Sequence, residues 1–190
     1  MLATNNVKMT WPHSVVSQFE AVNPNTTVET KWYAPYNTLL THVFKSEDGF
    51  GVAPQYSLYE SRESIDFTTI YIVQRNRHLV FILEIKPHPN LVNISRRIGT
   101  DVQIRQCFNK LQHHIVIPRL HAVSTMGTTF ATYKLDKPSK RVTPAKILST
   151  EDTIQDLVPQ SWWKHEILEL AGEAIFLEIV KDVKVMSFNI

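Results

Sequence analysis

Residues 79–87 read LVFILEIKP, and this stretch decides what kind of fold the chain makes. A nearly continuous apolar run from Leu79 to Ile85 is expected of a central β-strand buried on both faces. Pro87 and Pro89 end it, because neither can donate to a ladder. Two charges interrupt the end of the run, Glu84 and Lys86. Residues two apart on a strand share a face, so both project from one side near its C-terminal end. Ionised groups are costly to bury unless paired or bound to a metal. Taken alone, the two read as an ion pair capping a strand.

The segment just before it changes that reading. IDFTTIYIV (65–73) is rich in β-branched and aromatic residues and is predicted to be a strand. QRNRH (74–78) supplies the polar hairpin turn. In an antiparallel hairpin the first residues of one strand lie beside the last of the next, which brings Asp66 to the end that holds Glu84 and Lys86. Two carboxylates in a small space repel each other, and a divalent cation relieves that repulsion. Oxygen-only ligands suit Mg²⁺ or Mn²⁺ rather than zinc.

Further out, a short helix is predicted over Ser14–Val22, and a firmer one in NPNTTVETKWYAPYNTLLTHVF (23–44). There Trp32, Tyr36, Leu39, Leu40 and Val43 recur at helical spacing. Thr26 and Glu29 fit a capping box, while Pro35 should kink the helix or delay its start. Phe50–Tyr59 alternates as a strand. After the central strand, Ser95–His114 is helical, with Ile104, Phe108, Leu111 and Ile115 on one stripe and Gln103, Gln106 and Lys110 opposite. Strands follow over Ile115–Val123 and Thr128–Leu135 around Met126-Gly127, then an exposed basic loop over Lys137–Pro144 and a short edge strand over Ala145–Leu148. Gln160–Met186 reads as one or two amphipathic helices, broken at Gly172. The order is that of an α/β or α+β domain with a mixed central sheet flanked by helices.

An acid at a strand start, 17 intervening residues and Glu-x-Lys at the end of a buried strand resemble the PD-(D/E)xK nuclease superfamily. The likeness covers about 27–135. It departs at the first motif, where Ile65 stands in place of the proline. The resemblance implies a single nuclease-like domain over 1–190, with a restriction-endonuclease-like core and a C-terminal helical extension over about 150–190. It implies a Mg²⁺- or Mn²⁺-dependent endonuclease that hydrolyses phosphodiester bonds, most readily of DNA. Asp66 and Glu84, with the backbone carbonyl of Ile85, would hold the metal. Lys86 would orient or deprotonate the attacking water and stabilise charge on the phosphate. Glu29 is a further metal ligand on this reading, and a capping residue on the other. Gln103 would contact the site, while Arg96, Arg97, Arg105 and Lys110 would hold nucleic acid. A homodimer is admitted, since two-strand cleavage by this fold commonly uses two sites. The segments GFGVAPQY and STMGTTFATYKLDK are similar to nuclease-like domains of fungal proteins, some linked to Crinkler-type effectors. The alternative is an inactive nuclease-fold module that binds nucleic acid or a protein partner, as an effector or signalling domain. A decayed copy would be expected to have lost a motif residue, and all three are present.

Charge agrees with a phosphate partner. The net charge is +2, yet residues 75–146 carry 13 Lys+Arg against 3 Asp+Glu, and the remainder 7 against 15. A basic middle third is what backbone binding requires; a solvated surface explains it equally well. One cysteine, Cys107, excludes an internal disulfide and reads as a small buried hydrophobe. No apolar run reaches the ~18 residues of a membrane span, and no signal-peptide pattern is visible. An intracellular protein, of cytoplasm or nucleus, with no membrane partner is therefore expected. Trp162-Trp163 is read as one core ring and one half-exposed ring, with base stacking as the alternative.

Overall fold

The computed structural model describes residues 10–54, 70–149 and 156–190. The central run becomes β3 (His78–Lys86), in which every residue from Leu79 to Ile85 is buried. It pairs antiparallel with β2 (Ile70–Arg75), Ile70 lying opposite Glu84, so the start of β2 lies beside the end of β3. The turn between them is shorter than QRNRH. Only Asn76 and Arg77 lie outside the strands, both with positive φ (49° and 68°), as a tight hairpin with right-twisted strands requires. β1 (Phe50–Pro54) pairs antiparallel with β2. Asp66, the start of the predicted second strand and the end of the predicted first lie outside the described residues.

On its other side β3 pairs parallel with β4 (Arg119–Met126), and parallel neighbours need a long crossover. α3 (Ile94–Leu111) supplies it. β4 then turns through Gly127 (φ 67°) into antiparallel β5 (Thr129–Asp136). β6 (Val142–Thr143) and β7 (His165–Glu166) each pair with β5, which makes a mixed sheet of seven strands among the described residues. The short edge strand is thus Val142–Thr143 rather than Ala145–Leu148, which forms no strand.

Helices cover both faces. Phe81 of β3 packs against Phe44, which follows α2 (Tyr33–Val43), and against Phe176 of α4 (Leu170–Met186). The opposite face, carrying Glu84 and Ser124, meets α3 and the 3-10 turn Gln160–Trp163. α1 (His13–Glu20) buries Val15 and Phe19, and Phe19 stacks edge-on with Tyr36 of α2. Pro35 falls in the first turn of α2, where its missing N–H costs nothing, and the chain before it forms a 3-10 turn over Glu29–Trp32. The capping box is not what forms there: Thr26 Oγ1 accepts from Val28 N, four residues before α2's own N-cap, Trp32.

Gly172 does not break the last helix. It lies in the first turn of α4 against β7, where an added Cβ would stand 1.9 Å from the Glu166 carbonyl oxygen. The glycine permits that close approach. Trp163 is buried, and Trp162 is half-buried with its ring edge-on to Tyr133, so the pair divides between core and surface. Among the described residues no helix is long and apolar enough to cross a membrane.

Candidate active site

Glu84 is the anomaly of the core. It is 1% exposed, on a strand whose neighbours are almost all aliphatic or aromatic. Ser124, its register partner on β4, donates to Glu84 Oε2 at 3.3 Å, and Trp163 Nε1 donates to Ser124 Oγ at 3.3 Å. Oε1 is buried with no hydrogen-bond partner among the described residues. Burial pushes the Glu84 pKa up to about 8, and Glu29 and Asp101 raise it further, against the lowering effect of Lys86 and the Ser124 hydrogen bond. At neutral pH this carboxyl therefore holds a proton unless a cation takes the proton's place.

Lys86 stands one strand step outward and is only partly buried. Its Nζ lies 3.3 Å from Glu29 Oε2, and Tyr33 donates its hydroxyl to Glu29 Oε1 at 3.0 Å. The backbone here is fixed from three sides. Gly127 N donates to the Lys86 carbonyl at 2.8 Å, Tyr36 donates to the Gly127 carbonyl at 2.7 Å, and Thr125 Oγ1 donates to the Glu84 carbonyl at 3.1 Å. An alanine at 127 would place its Cβ 2.7 Å from His88 Cβ, so the turn has room only for glycine.

A cavity of about 340 Å³ opens beside Lys86, lined by Glu29, Asn90, Ser95, Arg96, Thr100 and Gln103 among others. The structure thus gathers Glu29, Lys86, Arg96 and Gln103 around one opening, with Glu84 buried beside Lys86. Arg96 is exposed at the start of α3, where the Asn93 side chain caps the helix by accepting from Arg96 N.

Other expected ligands are engaged elsewhere. Arg97 is 3% exposed and donates to the carbonyls of Val158 and Leu91 and to Asp156, so its guanidinium ties α3 to the C-terminal segment rather than facing a phosphate. Arg105 binds Asp101 one helical turn back, at 2.8 Å, and donates to the Pro144 carbonyl. Both are structural arginines. Lys110 is half-buried toward the far end of α3. Ile85 has its side chain in the core and is paired with Thr125 of β4.

Two residues near Glu84, Ser124 and Asp101, were not singled out by the sequence, and Trp163 was read there only as a core or stacking ring. Ser124 and Trp163 reach it only through long-range pairing, which no local pattern reveals. Asp101 is buried on the inner face of α3, and its i,i+4 spacing to Arg105 was a legible signal of that pair. Cys107, as expected, is buried, and its thiol is pushed up to about 12.

Carboxylate oxygens are the donor type a hard divalent cation takes, and one buried Glu84 oxygen lacks a partner among the described residues. Among the described residues no group of three His, Cys, Asp or Glu side chains comes together, and Asp66 lies outside them. The chain matches no protein-family model, no curated protein and no solved structure significantly.

Proposed function

We propose that this chain is a Mg²⁺- or Mn²⁺-dependent nuclease of the PD-(D/E)xK type, working at the opening beside Lys86. The observation that carries the reading is Glu84: a fully buried carboxyl with one oxygen unpartnered among the described residues, one strand step from a lysine at the mouth of a polar cavity. A protein that needed only an apolar strand would place an aliphatic residue there, and burying an acid without function costs stability. The mixed sheet flanked by helices on both faces agrees with the resemblance.

In this reading Glu84 and Asp66 hold the cation, with Glu29 as a further oxygen donor. When bound, the cation supplies Lewis acidity toward a phosphoryl oxygen. Lys86, released from Glu29, orients the attacking water and offsets charge growing on the phosphate. Gln103 and Arg96 position the scissile phosphate from α3, Arg96 by a charge-assisted hydrogen bond. Water attacks phosphorus in line, the bond to the leaving oxygen breaks, and no covalent intermediate forms.

The second reading, a nucleic-acid-binding module without turnover, is favoured by one contact: Lys86 is paired with Glu29 rather than facing the cavity alone. The two separate cleanly. Single- and double-stranded DNA and RNA are incubated with the chain in Mg²⁺, Mn²⁺ or EDTA, beside Asp66→Ala and Lys86→Ala. Cleavage that disappears in EDTA and in both variants supports the nuclease. Salt-sensitive binding without cleavage supports the module.

A further inference from the structure

The outer face of α3 carries Arg96, Gln103, Gln106, Lys110 and, just past its end, His113, positions three, four or seven apart that fall on one stripe. Its opposite face is buried through Ile104, Phe108 and Leu111. From residue 87 to residue 135 Asp101 is the one acid, and it points inward to Arg105. Arg96, Gln106 and His113 of this stripe are exposed, Gln103 and Lys110 half-buried, and no carboxylate of α3 lies among them. At its far end lies a second cavity, of about 230 Å³, lined by Gln112, His113, Leu135, Lys137 and Lys140.

The basic turn that closes this cavity is held in place. Asp136 Oδ1 accepts from Ser139 N at 2.9 Å and from Ser139 Oγ at 2.5 Å. Lys137 N donates to the Pro118 carbonyl at 2.9 Å, and Asp136 N to the Arg141 carbonyl at 2.9 Å. Lys140 takes a left-handed conformation (φ 55°). Lys137, Lys140 and Arg141 are exposed and form no ion pair among the described residues. A turn held by the Asp136 carboxylate and by backbone hydrogen bonds, with three exposed cations that form no ion pair among the described residues, is suited to contact an anion.

We propose that the outer face of α3 is a track for a nucleic-acid backbone, running from the opening at Lys86 to a second phosphate contact at the Lys137–Arg141 turn. The proposal rests on the nuclease reading for the near end and on the basic turn for the far end. From Arg96 to His113 the helical rise spans about 25 Å. One strand of a duplex advances about 3.4 Å per phosphate, so the two ends are about seven phosphates apart. A ligand shorter than that reaches one end only.

The test is anisotropy binding of a 6-bp and a 16-bp duplex in EDTA, which prevents cleavage, with cleavage of both followed separately in Mg²⁺. Wild type is compared with Lys137→Ala/Lys140→Ala/Arg141→Ala and with Gln106→Glu, which puts a negative charge mid-track. Folding of each is checked by circular dichroism. The triple variant is expected to lose affinity for the 16-bp duplex by about tenfold, to lower the salt slope by about two to three, and to bind the 6-bp duplex as wild type does. Gln106→Glu weakens the long duplex as well. Equal affinity of wild type and triple variant for the 16-bp duplex overturns the track, as does equal loss on both lengths. So does a turn that binds phosphatidylserine vesicles while leaving duplex binding unchanged. Length- and turn-dependent binding with no cleavage removes the nuclease reading and leaves the track standing. Cleavage that ignores duplex length and the triple variant does the reverse.

Discussion

Lys86 Nζ and Glu29 Oε2 stand 3.3 Å apart and join the end of β3 to the 3-10 turn that precedes α2. The contact closes one side of the opening between the sheet and α3, and it sits beside a buried carboxyl that forms no ion pair among the described residues. Lys86 therefore serves two acids of different standing. Glu29 is partly exposed and holds it by direct contact, whereas Glu84 is buried and feels it as the largest influence that favours ionisation.

Lys86→Ala is expected to cost little stability, about 1 kcal/mol, because the pair is partly solvated. In the nuclease reading cleavage should fall by 10² or more, since the lysine would act on charge that develops in the transition state. Glu29→Gln frees the lysine and should leave stability near wild type. Chemical denaturation and single-turnover cleavage read the two effects separately.

Stability of the metal-free protein should fall as pH rises between about 5 and 8. Glu84 keeps its proton in the folded chain up to about 8, while in the unfolded chain it loses it near its ordinary value of 4.5. Over that window the unfolded state binds fewer protons, so ∂ΔG/∂pH is negative. The full effect is on the order of 5 kcal/mol. Glu84→Gln, neutral at every pH, should flatten the slope. Urea midpoints at pH 5, 6.5 and 8 check the sign.

Arg96 and Arg97 are neighbours in sequence and should behave in opposite ways. Arg97→Ala leaves the Leu91 and Val158 carbonyls and Asp156 without their donor, a loss of about 3 kcal/mol. Arg96→Ala should unfold at the wild-type midpoint yet bind duplex more weakly. A denaturant curve and a binding isotherm for each variant decide it.

Gly172→Ala should destabilise by about 3 kcal/mol, because its Cβ would meet the Glu166 backbone at 1.9 Å and α4 would have to move off β7. Lower thermal stability with an unchanged far-UV spectrum is the expected result.

Much of this architecture is written locally. LVFILEIK announces a strand buried on both sides, and Trp32, Tyr36, Leu39, Leu40 and Val43 announce the inner face of α2, because burial follows the period of each element. What escaped the sequence depends on contacts between distant residues. Gly172 looks like a helix breaker until β7 is seen beside it. Arg97 looks like a phosphate ligand until the C-terminal segment returns to cover it. The candidate site divides the same way. The shared face of Glu84 and Lys86 follows from strand periodicity, but the hydrogen-bond chain from Trp163 through Ser124 to Glu84 depends on β4 and the Gln160–Trp163 turn coming to lie next to β3. Asp66 lies outside the described residues, so its approach to Glu84 stays an expectation from hairpin geometry.

In the nuclease reading Glu84 exchanges a proton for a divalent cation. Mn²⁺ titration by calorimetry at pH 7, in two buffers of different ionisation enthalpy, counts protons released per ion bound. Binding is expected with release of close to one proton, since Glu84 with a pKa of about 8 is mostly protonated before the ion arrives. Glu84→Gln should abolish both the binding and the proton. Mn²⁺ that binds Glu84→Gln as tightly as wild type, or binds wild type with no proton released, would rule out Glu84 as the ligand that gives up its proton.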